Sequence, residues 1–288
     1  MNYRHGFHAG NFADVLKHAV LVLLIESLRE KPQPFTVMDS HAGAGRYDLS
    51  GEAARTGEFR HGIMRLIDRD DAPEALQPYL RLVRQANAGG PLQTYPGSPA
   101  LARMLLRPGD RLILNELEPG QQASLKAVFR NDSQVTLHRR DGYEAVGALL
   151  PPQPRRGLLM IDPPFEKNDE FTRLAASAVL AAKRWPEGRV MLWYPVKDTG
   201  AVAAFEHSLA AAGLSGWVAE LRVAGGSEGL GSSALALINP PWQFESALQS
   251  LLPSLTVSLA RDRQAGWDLR ALGREIGGEN NRKIVSDG

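Results

Sequence analysis

The sequence predicts a doubly wound α/β fold: seven strands, mostly parallel and ending in an antiparallel hairpin, with helices on both faces. Three observations predict it. Short apolar runs at residues 35–39, 111–116 and 158–161 lack polar alternation, as strands buried on both faces do. Between most strands lie stretches whose apolar residues recur at helical spacing. The last two strands, 217–223 and 233–238, are joined across Gly225, Gly226 and Gly229 without a helix, so they should pair antiparallel.

In chain order, Tyr3-Arg4-His5-Gly6-Phe7-His8 is a polar and aromatic arm with little to anchor it in a core. Residues 10–30 follow as a helix. Phe12, Val15, Leu16, Ala19, Val20, Leu23 and Leu24 recur at helical spacing, Asn11 caps the start, and Lys31-Pro32 and Pro34 end it. Asp14, Lys17 and His18 lie together through i+3 and i+4 spacing, as either a solvated face or one wall of a pocket. The strand at 35–39 runs into Ser40-His41-Ala42-Gly43-Ala44-Gly45, where Gly43 and Gly45 let backbone approach a ligand closely. Position 48 is Asp, so Gly-x-Gly-x-x-Gly is incomplete and a dinucleotide fingerprint is not supported.

Residues 51–95 are too many for a plain connection, and they read as a small helical insertion containing a helix at 75–88 closed by Gly89-Gly90. Tyr95-Pro96-Gly97-Ser98-Pro99 then leads into a helix at 100–106. Regular alternation follows. Strands at 111–116, 134–138, 158–161 and 189–194 are each succeeded by a helix, at 121–129, from Gly142 to Leu150, at 170–184 and at 201–212. After Arg261 charge is mixed and apolar periodicity poor. Residues 1–260 are therefore expected to form one domain and 261–288 a mobile tail.

Composition narrows the class. At 288 residues, 43% hydrophobic and 23% charged, the chain can bury a substantial core and is not a disordered or fibrous sequence. With no cysteine it has no disulfide framework, zinc–thiolate site or thiol nucleophile. The longest strongly apolar run, 19–25, is too short to span a bilayer, and the first five residues lack the layout of a secretory signal. No membrane association and a cytoplasmic location are expected. A net charge of +1 makes no case for nucleic acid by itself, although a phosphate-binding face needs only a few well-placed Lys or Arg.

Asp39, Glu116, Asp141 and Asp162 fall at the C-terminal ends of four strands, the edge where open α/β sheets bind ligands. A carboxylate at a strand end followed by a Gly-x-Gly turn suits a cationic, phosphate-free nucleoside such as S-adenosylmethionine. Glu116 is placed to accept both ribose hydroxyls, and Asp141 to accept from an adenine amino group beside the close backbone of Gly142. Asp162-Pro163-Pro164-Phe165 stops its strand, because proline lacks an amide hydrogen, and holds a carboxylate and a ring on a stiff turn. Such a turn can grip an amine. Asp162 and the Pro163 carbonyl would accept hydrogen bonds from an exocyclic adenine nitrogen, Phe165 would stack on the base, and the base must be flipped or unpaired to reach them. Asn239-Pro240-Pro241-Trp242 resembles the same turn but reads better as an edge-strand stop at the sheet margin. His5, His8 and His18 lack a zinc-like spacing, so no metal is expected. His18 and His41 are either hydrogen-bonded core histidines or ligand contacts.

Taken together, the arm, Phe7-His8-Ala9-Gly10-Asn11, Ala13-Asp14-Val15-Leu16-Lys17-His18, His41-Ala42-Gly43-Ala44-Gly45-Arg46-Tyr47, Pro96-Gly97-Ser98-Pro99 and Asp162-Pro163-Pro164-Phe165 resemble the bacterial ribosomal RNA large subunit methyltransferase J family. The likeness runs from about Tyr3 to Leu252. It implies a Rossmann-like class I methyltransferase sheet and methyl transfer from S-adenosylmethionine to N6 of an adenine in 23S ribosomal RNA. It implies cofactor contacts at His18, His41, Ser98, Glu116, Asp141, Gly142 and Asp162, with Asp162 catalytic. Tyr3 would meet the RNA, and His5 and Lys17 would lie near the target base. Phe165 stands where many relatives carry Tyr, and the tail after Arg261 carries no implied role. A monomer is expected. The rival readings are the same chemistry on DNA adenine, which the lack of a recognisable target-recognition domain disfavours, and a catalytically silent nucleic-acid-binding protein, which the intact set of strand-end acids disfavours.

Overall fold

The computed structural model describes residues 5–51, 55–225 and 229–273, together with the backbone of 283–284; Tyr3 and the side chain of His5 lie outside the described residues. Helix α1 (Phe12–Arg29) begins where Asn11 accepts a hydrogen bond from the Asp14 amide, as its sequence predicts. It is buried nearly all round, because it lies between the sheet and helices of the insertion and the C-terminal region. Asp14, Lys17 and His18 are buried with it and are not a solvated face; Lys17 and His18 reach a pocket wall, with Asp14 behind them.

Strand β1 (Thr36–Asp39) is followed by β2 (Arg46–Asp48), which pairs antiparallel with β3 (Thr94–Pro96) and closes the insertion at its base. Inside the insertion are short 3-10 turns and α2 (Gln77–Ala86). Then come α3 (Ser98–Leu105), β4 (Arg111–Asn115), α4 (Pro119–Val128), β5 (Val135–His138), α5 (Gly142–Leu149), β6 (Gly157–Ile161), α6 (Glu170–Arg184), β7 (Arg189–Pro195), α7 (Thr199–Ala211), β8 (Gly216–Arg222) and β9 (Ser232–Ile238). The order across the sheet is β5-β4-β1-β6-β7-β9-β8, followed by β10 (Gly266–Leu272) and β11 (Lys283–Ile284).

Strands β5, β4, β1, β6 and β7 are parallel, and β9 runs antiparallel to both β7 and β8. The chain leaves β1 towards β4 and later returns on its other side at β6, so the carboxyl ends of these strands flank the switch point of the sheet. One core packs α1, the insertion and α8 (Phe244–Leu259) on one face, and a second packs α5, α6 and α7 on the other. This is the predicted doubly wound architecture, with nine strands in the sheet where seven were expected.

Two expectations are corrected. Residues 266–272 are not a mobile tail but a strand paired along its whole length with β8. Trp267, Leu269 and Ala271 alternate with Asp268 and Arg270, and the Arg270 guanidinium joins Glu206 at 2.5 Å, Asp268 at 2.7 Å and Glu220 at 3.1 Å. One guanidinium thus ties carboxylates from three elements together, so a segment that looks solvated in sequence is held in the fold. The second correction concerns the turn at Asn239. Its strand, β9, is not marginal: it is buried along its length between β7 and β8. Because β9 runs antiparallel, Ile238 pairs with Val190 at the start of β7, and Asn239-Pro240-Pro241-Trp242 leaves the sheet at the edge opposite Asp162.

Candidate functional site

At the C-terminal edge of β1, β4, β5 and β6 the sequence leaves one cavity of about 390 Å³. Lys17, His18, His41, Gly43, Ser98, Glu116, Asp141, Gly142 and Asp162 all border it. Every cofactor candidate named from the sequence thus meets at one cleft. Phe165 does not line it, but sits on the far side of Asp162 against Phe171 and Trp193.

Asp39 is buried behind the cavity wall. Its Oδ2 accepts from Ser98 Oγ at 2.7 Å and its Oδ1 from the His41 amide at 3.1 Å. Complete burial pushes this carboxyl up to about 7, against the pull of those two donors. His41, also buried, is pushed down to about 4 and is therefore a neutral imidazole. Ser40 Oγ lies 3.0 Å from the Met160 carbonyl and 2.9 Å from His41 Nδ1. With the hydroxyl hydrogen given to the carbonyl, His41 carries its proton on Nδ1 and turns a bare Nε2 towards Gly142.

The two buried groups bend the stability profile in opposite directions. Asp39 holds a proton in the folded chain that the unfolded chain loses near the ordinary carboxyl value of 3.8, so its contribution falls as pH rises to about 7. His41 stays neutral down to about 4, whereas the unfolded residue protonates near 6.5, so its contribution falls as pH drops. Between those limits they offset each other. Asp39→Asn should therefore lose thermal stability on acidification more steeply than wild type, and gain on it above neutrality; superimposable melting profiles would refute the assignment.

Glu116 follows Asn115 at the end of β4. Its Oε2 accepts from the Gly43 amide and its Oε1 from the Glu118 amide, each at 2.8 Å, while burial raises its pKa. Each oxygen keeps a second lone pair for a ligand. The backbone here tolerates no side chain. Gly43 has φ +62 and its Cβ would lie 2.3 Å from the Tyr47 hydroxyl; a Cβ on Gly142 would lie 2.2 Å from His41 Nε2. Asp141 caps α5, accepting from the Tyr143 amide at 2.9 Å and the Glu144 amide at 3.3 Å. Partial burial opposes its ionisation, but Arg173 at 2.8 Å and the two amides hold it below the usual carboxylate range.

His18 is hydrogen-bonded in the core and also reaches the cavity wall. Its Nδ1 lies 2.7 Å from the Tyr95 hydroxyl, itself 2.9 Å from that of Tyr79, and the residue also borders the cavity. Lys17 joins α1 to the end of β6, its ammonium 2.8 Å from Asp14 Oδ1 and 2.5 Å from Asp162 Oδ2.

Several members were not foreseen. Asn115 ties three loops together, donating to the carbonyls of Ser40 and Arg140 and accepting from the Arg140 amide. Arg173 lies over the Tyr143 ring, whose hydroxyl donates to Glu170 at 2.5 Å. Trp193 stands beside Asp162, with the Lys17 ammonium 5.8 Å from its ring centroid. Among the described residues, no group of three or more His, Asp and Glu is placed to hold a metal ion, and no helix is long and apolar enough to cross a membrane.

A cleft with two glycine cradles, a carboxylate of spare acceptor capacity and more acidic than basic side chains in its lining suits a cationic nucleoside. Comparisons with known proteins agree. A family described as "Ribosomal RNA large subunit methyltransferase D, RlmJ" matches residues 32–272. The chain is 44% identical over 259 residues to Ribosomal RNA large subunit methyltransferase J of Escherichia coli K12, covering 88% of this chain and 92% of that protein. It is 40% identical over 272 residues to the protein of that name from Haemophilus influenzae, covering 93% and 97%. A crystal structure of a Legionella pneumophila protein, 32% identical, superposes with a TM-score of 0.86 over 93% of this chain and 99% of that one. The chain therefore belongs to the ribosomal RNA large subunit methyltransferase J family.

Proposed function

We propose that this methyltransferase modifies the exocyclic N6 amine of an unpaired or flipped-out adenine in 23S ribosomal RNA, using S-adenosylmethionine. One observation carries the reading: Asp162 stands on the boundary between the acidic cleft and the aromatic wall of Phe165 and Trp193, so one carboxylate faces both a cofactor site and a base site. The relatives' names supply the RNA.

When bound, S-adenosylmethionine supplies an electrophilic methyl group. Glu116 accepts the ribose hydroxyls, Asp141 and Gly142 meet the purine edge, and His18, His41, Gly43 and Ser98 shape the remaining contacts. Lys17 fixes Oδ2 of Asp162, leaving Oδ1 to accept from the target amine together with the Pro163 carbonyl. That pair of acceptors would hold the nitrogen pyramidal, with its lone pair directed at the methyl group; as the N–C bond forms and the S–C bond breaks, the Asp162 carboxylate would take the proton the nitrogen loses and pass it to solvent. Tyr3 would meet the RNA, His5 and Lys17 would act near the target base, and Phe165 would stack on it. The enzyme works as a cytoplasmic monomer without a metal.

Labelled S-adenosylmethionine with transcribed 23S ribosomal RNA, or with DNA of the same sequence, followed by nucleoside analysis and mapping, tests this. The expected result is N6-methyladenosine at a defined RNA position; label confined to DNA or to another nucleoside overturns it. Glu116→Ala should weaken cofactor affinity about 10²- to 10⁴-fold, in keeping with loss of two charge-assisted hydrogen bonds worth about 1.5–3 kcal/mol each. Unchanged affinity by calorimetry would refute the role given to Glu116.

A further inference from the structure

We propose that Trp193 is a specificity-determining residue: its indole N–H donates to a ring nitrogen of the target adenine. The inference rests on the adenine-N6 reading above and extends it from the amine to the purine ring. Ile161 pairs with Leu192, so Trp193 flanks Asp162 on the neighbouring strand. Its ring turns to the face that carries α1, where Lys17 approaches to 5.8 Å. Phe165 completes the group, edge-on to the indole at 5.9 Å and 78°.

The indole Nε1 is buried and, among the described residues, has no hydrogen-bond partner. An unmatched buried donor is a cost that phenylalanine in the same place would not carry. Its cover is itself strained: Phe165 sits at φ +51, an unfavourable backbone conformation for a bulky residue and one found mainly where function demands it. A base entering beside Asp162 takes the place of the Phe165 ring against the indole, and Phe165 swings to stack on the purine.

The chemistry selects adenine. Once Asp162 and Pro163 occupy its amino hydrogens, adenine has only ring-nitrogen acceptors left in the plane, and an indole N–H only donates. Guanine would turn a ring N–H donor at its Watson–Crick edge, and a site built around a buried hydrogen bond rejects such mismatches strongly.

Trp193→Phe keeps the ring and removes the N–H. With the mapped RNA fragment, kcat/KM should fall about 10-fold or more, as expected for a lost buried hydrogen bond, while cofactor affinity and melting temperature stay at wild-type values or above. Fragments carrying 1-deaza-, 3-deaza- or 7-deazaadenosine at the target position identify the acceptor. One of them should be penalised about as strongly with wild type and not further with Trp193→Phe, as coupling in a double-mutant cycle requires. Wild-type kcat/KM in the variant, or wild-type indifference to all three analogues, overturns the proposal. The adenine reading fails separately, if wild type forms no N6-methyladenosine in the unmodified fragment.

Discussion

Asp162→Asn is expected to lower kcat by about 10²–10³-fold, the scale on which removing one preorganised electrostatic partner slows an enzyme. The shape of the residue survives, but its bonding does not. Lys17 lies 2.5 Å from Oδ2 and can only donate, so the variant amide must turn its oxygen to the ammonium. Its NH2 then faces the target amine, donor against donor. The nitrogen is no longer held pyramidal, and the Pro163 carbonyl remains as a single acceptor. Single-turnover rates at saturating RNA and cofactor are the measurement. A kcat within a few-fold of wild type would remove Asp162 from the chemistry.

Lys17→Met should do the larger structural damage. The ammonium is nearly inaccessible and neutralises two acids, Asp14 and Asp162, from different elements. Removing one partner from a buried ion pair typically costs about 3–5 kcal/mol, or roughly 5–15 °C in melting temperature for a chain of this size. Asp14 keeps the Gly10 amide at 3.0 Å, so the loss falls more heavily on Asp162. Activity should drop with stability, and the pH–rate profile should move to higher pH, because two carboxylates then share a dry site with no counter-charge. Adding Asp14→Asn should restore part of the lost stability. A single variant that melts like wild type would mean the buried contact contributes nothing net.

The strand-end acids were legible because a carboxylate directly after an apolar run has few structural reasons to be there. Glu116, Asp141 and Asp162 do border one cleft, while Asp39 is buried behind it, bonded to Ser98 and the His41 amide. Lys17 was harder to interpret: polar residues at i+3 on a helix look the same whether they face water or a cleft, and α1 is buried on both sides. Strand direction misled at Asn239. The turn does stop a strand away from Asp162, but that strand is no edge: β9 is inserted antiparallel inside the sheet, which a hairpin pattern does not reveal. The strand at 266–272 was hidden by its own charges, whose partners Glu206 and Glu220 are distant in sequence. Trp193 sits in an apolar run indistinguishable from core, and only its neighbours in space single it out.

The position of β9 also has a consequence for biosynthesis. Every residue assigned here to cofactor or base is translated by the time Pro195 emerges, yet at that stage β7 has β6 on one side and nothing on the other. A nascent chain therefore displays a long, apolar, unpaired strand edge until residues 232–238 are made and slide in beside it. Such an edge templates pairing with other chains, so the late-translated hairpin serves the molecule as a built-in guard against aggregation as much as a piece of its sheet.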